Sequence, residues 1–296
     1  MTVAAINWLG SRPGHMQYGN FLLGPGTPWR WDDMEGWEDT PGIDSGTVLK
    51  SSGHGAWPGI FYAQVRTVTA TLVVRSEPGQ MNGTLRQLSA ATPIDAEEER
   101  PLVIQLDDDQ PLMVFARCTR RSFPVSRTHR VGLARGAIEF EASDPRRYSL
   151  IENTYITALP QPEPGIAWPL SFPLDFGDPG SSGNVDAYNS GDAPTHPRFE
   201  IKGPCDKPSI TNINTGAILE YDLSLSSTDV LYIDTKEGTV TLNGNTANRL
   251  YTATTRSQPE GAFLLPPGRS SLAFRSDDSP PDPASTLTVI WRSAYW

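Results

Sequence analysis

The chain has few of the residues from which reactive centres are built. Its 296 residues include 2 cysteines and 4 histidines. Cys118 and Cys205 lie in what read as different domains, which suggests reduced, buried thiols, and no cysteine pair has zinc-binding spacing. His15, His54, His129 and His196 form no zincin pair. His54 stands between Gly53 and Gly55 with no second ligand nearby, so it reads as part of a solvated loop. There is no phosphate-cradling P-loop and no Gly-x-Ser-x-Gly elbow. Carboxylates do cluster, at Glu97-Glu98-Glu99, Asp107-Asp108-Asp109 and Asp277-Asp278, but in polar, turn-like settings. A calcium loop spaces its ligands more widely, and a glycosidase needs two carboxyls held across a cleft. The expectation is no enzyme: no catalytic, cofactor-binding or metal-binding residue, and no cofactor. A triad assembled from distant residues is the one arrangement this reading leaves open.

Long apolar runs are also missing, so no segment is expected to span a bilayer. Residues 1–15 show no charged leader followed by an apolar block, so no secretion signal is expected. Positive charge is in short supply, with 24 Lys and Arg against 34 Asp and Glu and a net charge of −10. The deficit is uneven. Residues 1–149 carry 15 basic against 17 acidic residues, a net of −2, and residues 150–296 carry 9 against 17, a net of −8. The acidic second half argues against a nucleic-acid surface there.

What the chain has is turn chemistry and short strands. It holds 27 prolines, 26 glycines and 38% hydrophobic residues, enough apolar material for a core with heavy punctuation between short elements. The stretch from Asn189 to Gly244 shows the pattern most clearly. Phe199 and Ile201 alternate with Glu200 and Lys202; Leu219, Tyr221, Leu223 and Leu225 alternate with Glu220, Asp222 and Ser224. Period two means one buried and one wet face. Val230–Asp234 and Thr239–Leu242 flank Thr235-Lys236-Glu237-Gly238, a hairpin whose glycine takes positive φ. This is a β-sandwich reading, closed by strands at 271–274 and 287–291.

The first half reads as mostly β with one helix. Short strands and loops are expected over residues 1–30, including Trp8, a loop from Val48 to Trp57, and a long strand from Val65 to Val74. Met81, Leu85 and Leu88 form one stripe of a helix over 79–92, stopped by Pro93. Strands at 101–106 and 111–118 flank the acidic tip Asp107–Gln110, and 137–142 alternates cleanly. From 158 to 197 the chain is rich in proline and glycine, yet Trp168, Leu170, Phe172, Leu174 and Phe176 alternate, as in an extended segment docked on a sheet edge.

Two stretches have the composition of contact surfaces. Residues 29–44 hold Trp29, Trp31 and Trp37 among six acids that include Asp32, Asp33 and Glu35: a core aromatic cluster, or a subunit contact. Residues 117–135 carry Arg117, Arg120, Arg121, Arg127, Arg130 and Arg135: a mobile solvated loop, a contact with an acidic neighbour, or a surface facing DNA.

The order of small motifs is similar to one family. Asn189-x-Gly191, Thr195-x-Pro197, Asn212-x-x-Thr215-Gly216, Asp229-x-x-x-Ile233-Asp234-Thr235 and Asn243-Gly244 follow one another, with Leu265-x-Pro267-Gly268 and Val289-x-Trp291-Arg292-x-Ala294 downstream. Upstream stand Trp29-x-Trp31, Gly36, Pro41-Gly42, Gly53-His54-Gly55 and Asp144-Pro145-x-x-Tyr148. The series resembles the distal tail (minor tail) protein family of long-tailed, non-contractile bacteriophages. One local departure is Tyr62–Arg66, which lacks a Gly-Arg pair before the next strand.

The resemblance implies two β-sandwich domains: a ring-forming tail hub domain at 1–149 with one short helix, and a galectin-like or carbohydrate-module-like jelly roll at 150–296. It implies a structural virion protein at the distal end of the tail, made and assembled in the bacterial host cytoplasm. The family forms a ring, usually a homo-hexamer, around the channel through which DNA passes as cargo. Its neighbours are the tail tube protein above, the tape-measure protein inside and the tail-tip hub or fibre proteins below. The inter-subunit candidates are then Trp29, Trp31, Asp32, Asp33, Glu35 and Trp37 on one side and Arg120, Arg121, Arg127 and Arg130 on the other. An alternative gives the second domain a host-surface glycan, with Trp168, Tyr188, Tyr232, Tyr251 and Trp296 as available aromatics unless they serve packing.

Overall fold

The computed structural model describes residues 12–94, 97–107, 109–161, 180–244 and 248–296. Trp8, Asp108 and the alternating run from Trp168 to Phe176 lie outside the described residues. The chain falls into two compact units, residues 1–150 with Trp296, and residues 151–295.

In the first unit, β1 (His15–Tyr18) and β2 (Phe21–Leu23) form a hairpin, followed by β3 (Trp29–Glu35). Four short strands come next, β4 (Ile43–Asp44), β5 (Val48–Leu49), β6 (Ala56–Trp57) and β7 (Tyr62–Ala63), and then the long β8 (Arg66–Arg75). The helix α1 (Met81–Ala91) leads to β9 (Arg100–Gln105), β10 (Leu112–Ser122), β11 (Leu133–Ala142) and β12 (Arg147–Ser149). The strands run in the order β2-β1-β9-β10-β11-β8-β3, antiparallel throughout.

β10 turns a corner. Its first half pairs with β9 and its second half with β11, with a bulge between Cys118 and Arg120. The bulge twists the strand, so the β1–β9 side faces the β11–β8 side across one core. Tyr18 of β1 meets Phe140 of β11 with ring centroids 4.8 Å apart. The helix stripe performs as its spacing predicts: Met81 and Leu88 are buried in this core and Leu85 packs against it. Thr92 ends the helix, its hydroxyl donating to the Leu88 carbonyl at 2.7 Å.

Two expectations change here. The 48–57 stretch is no loop. β5 pairs with β6 and β4 with β7, giving a two-stranded ribbon. Nor is 117–135 a mobile loop. Arg117, Arg120 and Arg121 lie on β10, Arg127 and Arg130 on a 3-10 turn (Arg127–Val131), and Arg135 on β11. Arg117, Arg120 and Arg135 stay exposed because alternate positions, such as Cys118 and Ala134, take the inward face.

The second unit is a sandwich of two antiparallel sheets. The first sheet runs β13 (Asn153–Ala158), β23 (Thr286–Trp291), β15 (Arg198–Lys202), β20 (Val230–Asp234), β21 (Thr239–Leu242). The second runs β14 (Asn184–Asn189), β22 (Gly268–Arg275), β17 (Ser209–Asn212), β18 (Ile218–Glu220); β16 (Cys205–Asp206) pairs with β19 (Ser224–Leu225). Phe199, Ile201, Leu231, Ile233, Leu272 and Phe274 meet in one core. The hairpin at 235–238 is present, with Gly238 at φ 64°. The 219–225 alternation is not one strand. It breaks after Glu220, because Tyr221 bridges to Ala253 and the Glu220 carboxylate is buried under Thr254 and Arg256 at 2.8 and 2.9 Å.

Candidate assembly surfaces

The outer face of the first unit's sheet carries a gradient of charge. Residues that point outward on β3, β8, β11 and β10 fall into rows set by strand register. One row reads Glu35, Thr69, Glu139, Arg120; the next reads Asp33, Thr71, Ala137, Ser122. Threonines on β8 form a neutral middle. Asp33 and Glu35 stand at the β3 edge, where Arg30 is also exposed, and Arg120 stands at the β10 side next to Glu139 of β11, three strand spacings from β3, or roughly 14 Å. A second bulge, between Trp31 and Asp33, leaves Asp32 and Asp33 both exposed.

The three tryptophans of this stretch have different placements. Trp29 and Trp37 are buried in the core cluster, and Trp31 is half-buried, its ring N–H donating to the Gly14 carbonyl at 2.8 Å. What remains available on the surface is the acids, around a cleft of about 380 Å³ walled by Trp31, Asp33, Trp37, Glu38, Asp39 and Asp107.

That acidic corner is held by a buried arginine. Arg66, the first residue of β8, donates from Nη1 to the carbonyls of Gly36, Trp37 and Asp39 at 2.7, 2.9 and 2.9 Å, and from Nε to the Pro145 carbonyl at 2.7 Å. Burial pulls its pKa below the usual guanidinium value, and the neighbouring Arg147 charge does so further. Gly36 sits at φ 83° against β8, where a Cβ would fall 1.8 Å from the Thr67 carbonyl oxygen. Arg147 adds a pair with Glu38 at 2.6 Å and lies over the Trp37 ring. The Asp144 motif closes the same region: its carboxylate accepts from the Tyr148 hydroxyl at 2.6 Å and from Arg146 Nε at 2.8 Å. Burial and that carboxylate push the Tyr148 phenol well above its ordinary range.

On the basic side, Arg117, Arg120, Arg127, Arg130 and Arg135 are exposed and Arg121 is half-buried, its Nη1 donating to the Thr92 hydroxyl at 3.1 Å. Arg117 and Arg120 face Glu141 and Glu139 across the ladder. A shallow groove of about 410 Å³ lies over β8, β11 and the end of β10, walled by Thr69, Thr71, Arg120, Pro124, Arg135 and Glu139. Among the described residues, no group of three or more His, Cys, Asp or Glu is placed to hold a metal ion, and no helix is long and apolar enough to cross a membrane.

In the second unit the motif residues are turn locks. The buried Asn189 amide donates to the Ala193 carbonyl at 2.8 Å, and its Oδ1 accepts from Gly191 N–H at 3.1 Å. Gly191 is pressed so close that a Cβ would lie 1.7 Å from the Ala294 carbonyl oxygen. Thr235 donates to the Pro197 carbonyl at 2.7 Å, and Asn212 Oδ1 accepts from the N–H groups of Asn214 and Thr215. Asp229 accepts from Ser226 and from Asn243, whose φ is 56°. Residues 190–295 match the siphovirus-type tail component, C-terminal domain.

The resemblance carried by those motifs therefore holds over this span, and two solved structures share the fold along nearly the whole chain. One is the Dit protein of phage SPP1, titled a paradigm of the hub adsorption apparatus in phages infecting Gram-positive bacteria. It is 12% identical with a TM-score of 0.66, covering 95% of this chain and 99% of that one. The other is a chain of the phage P2 baseplate in its activated conformation with Ca, 9% identical with a TM-score of 0.51, covering 94% and 97%. No curated protein sequence matches significantly.

The aromatics that a glycan would need do not converge among the described residues. Tyr232 points outward from the five-stranded sheet, Tyr188 outward from the four-stranded one on the other side of the sandwich, and Tyr251 lies on a 3-10 turn (Leu250–Thr252) beside Arg249. Trp168 lies outside the described residues. Sequence reading missed the ribbon of β4 to β7, whose apolar residues do not alternate with polar ones because both of its faces are exposed. The signal was present as an apolar-rich stretch with almost no charge.

Proposed function

We propose that this chain is a distal tail hub protein of a long-tailed phage, a structural component of the virion and not an enzyme. The match of residues 190–295 to the siphovirus-type tail component carries the reading, and a fold shared with the SPP1 Dit protein over 95% of the chain supports it. In this reading residues 1–149 form a homo-hexameric ring around the DNA channel. Residues 150–296 carry other tail proteins. The tube protein, the tape-measure protein and the tail-tip or fibre proteins are its neighbours, and assembly takes place in the host cytoplasm.

The charge gradient supports a ring. A closed ring requires a heterologous contact, in which two different patches of one chain meet. The β3 edge, with Asp32, Asp33 and Glu35, and the basic side, with Arg120 on β10 and Arg127 and Arg130 on the following 3-10 turn, supply patches of opposite sign, with Arg121 half-buried behind the second. Trp31 joins the acidic patch, while Trp29 and Trp37 support it from the core. Reversing Arg120, Arg121 and Arg127 to Glu is expected to abolish ring assembly in native mass spectrometry at physiological salt. Rings of unchanged mass and abundance would remove this contact.

A further inference from the structure

A sandwich of two open sheets has four edge strands, and an open edge is a template for any chain that can pair with it. In the second unit three of the four edges are guarded. Beside β21, Thr241 bridges to Asn248, and the Arg249 N–H donates to the Val240 carbonyl at 2.7 Å. Beside β18, the N–H groups of Gln258 and Thr254 donate to the carbonyls of Ile218 and Glu220 at 2.9 and 3.0 Å. β14 holds the exposed Asp186, a charge that an added strand would have to accommodate.

β13 has no such guard. It pairs with β23 along its whole length without a bulge, and among the described residues no backbone pairs with its other side. Its sequence, Asn-Thr-Tyr-Ile-Thr-Ala, contains no charge, proline or glycine, and its middle is β-branched or aromatic throughout. In an antiparallel pair every other residue turns its N–H and C=O away from the partner, so β13 offers an unbroken row of donors and acceptors. Tyr155 and Ile156 lie on opposite faces of the sheet and are 54% and 67% exposed. Tyr155 stacks on the buried Trp291, with ring centroids 5.6 Å apart and planes at 19°, and the Trp291 ring N–H donates to the Tyr188 carbonyl at 3.1 Å. The edge is thus already ordered and carries an apolar contact on each face.

We propose that β13 receives an extended segment of another tail protein as an added strand, and that this segment is uncharged at its centre and basic at its ends. Backbone hydrogen bonds to β13 supply affinity, and alternate side chains over Tyr155 and Ile156 set the register. Residues 150–296 carry 9 basic against 17 acidic residues, a net of −8, and this field favours the approach of basic flanks. A second copy of this chain would bring the same negative charge to the contact, which disfavours it as the occupant. The inference rests on the reading that residues 150–296 carry other tail proteins, and it names the strand that carries them.

The test uses the full chain and two synthetic peptides of alternating threonine and valine, one flanked by lysines and the other by glutamates. The lysine-flanked peptide should slow hydrogen exchange within 153–158 and leave the rest of the second unit unchanged. Replacing its lysines with glutamates, or replacing the exposed Ile156 with Lys in the chain, should each weaken binding about tenfold, and Ile156→Lys should keep the wild-type melt. No protection by either peptide, or protection outside 153–158, would remove the edge as the site. Equal binding of the two peptides would remove the basic partner. Full protection of 153–158 in the dilute chain alone would mean that the chain covers its own edge, and protection that grows with chain concentration would make the occupant a second copy; either overturns the inference. A photo-crosslinking residue in place of Ile156 then separates the edge from the carrying role. In assembled tails it should join the chain to a different tail protein. If other exposed positions of the second unit crosslink to one and this position does not, the edge is wrong and the carrying role stands. If no position does, the carrying role itself falls.

Discussion

Replacing Arg66 with Ala removes four hydrogen bonds that hold three separate segments together. The guanidinium is buried and takes the carbonyls of Gly36, Trp37, Asp39 and Pro145 as acceptors. The Trp37 carbonyl is the most enclosed of the four, and the other three lie in partly buried surroundings. A hydrogen bond to a charged group contributes about 1.5–3 kcal/mol net, and the desolvation of the buried cation offsets part of that sum. Removing one partner of a buried charged network typically costs about 3–5 kcal/mol, which sets the expected loss. For a unit of this size that corresponds to a fall in Tm of roughly 10–15 °C. Arg66→Lys keeps the charge but not the fork, so it should recover only part of the loss. The assay is thermal and denaturant unfolding followed by tryptophan fluorescence, since Trp29 and Trp37 report on this unit's core. Hydrogen exchange over residues 36–39 should rise in both variants. An Ala variant within about 1 kcal/mol of wild type would refute the account of the acidic corner, as would a Lys variant indistinguishable from it.

Other perturbations separate tight packing from mere turn geometry. Gly191→Ala should destabilise the second unit severely, by more than about 3 kcal/mol, because its Cβ meets the Ala294 backbone; Gly238→Ala, with open space around it, should cost only about 1 kcal/mol of backbone strain, and calorimetry compares the two. Hydrogen bonds from Ser226 and Asn243 lower the pKa of Asp229 to about 2. Its folded pKa lies below the unfolded one, so its contribution is present above pH ~4 and is lost as pH falls towards 2. Asp229→Asn should flatten the acid limb of Tm against pH, and an identical limb would sink the claim. Burial, helped by Asp278 and Asp206, pushes the Cys205 thiol up to about 12, and burial raises that of Cys118. Both thiols should resist a disulfide reagent at pH 8 in the native chain and react at once in denaturant.

Strands with one face in the core of their own unit were legible. Phe199 and Ile201 point inward as their alternation predicts, and the Thr235–Gly238 turn follows from its glycine. The helix stripe of Met81, Leu85 and Leu88 was equally plain. Elements shaped by distant groups were not. Glu220 reads as a solvated position, yet Thr254 and Arg256, more than thirty residues on, make it a buried one and end its strand. The arginines of 117–135 read as a loop because charge obscured the inward alternation of Cys118, Ala134 and Ile138. The ribbon escaped because alternation marks a face that packs within its own chain, and Leu49, Trp57 and Phe61 do not. At the candidate contact surface, composition indicated both charged stretches. Strand register revealed that Asp33, Glu35 and Arg120 share one sheet face, and packing that two of the three tryptophans lie in the core.

Negative-stain imaging of the purified full chain tests the central claim most directly. Closed rings with a central hole, built from copies of this chain alone, are the expected result. A preparation that stays monomeric, both free and when recovered from intact tails, would contradict it.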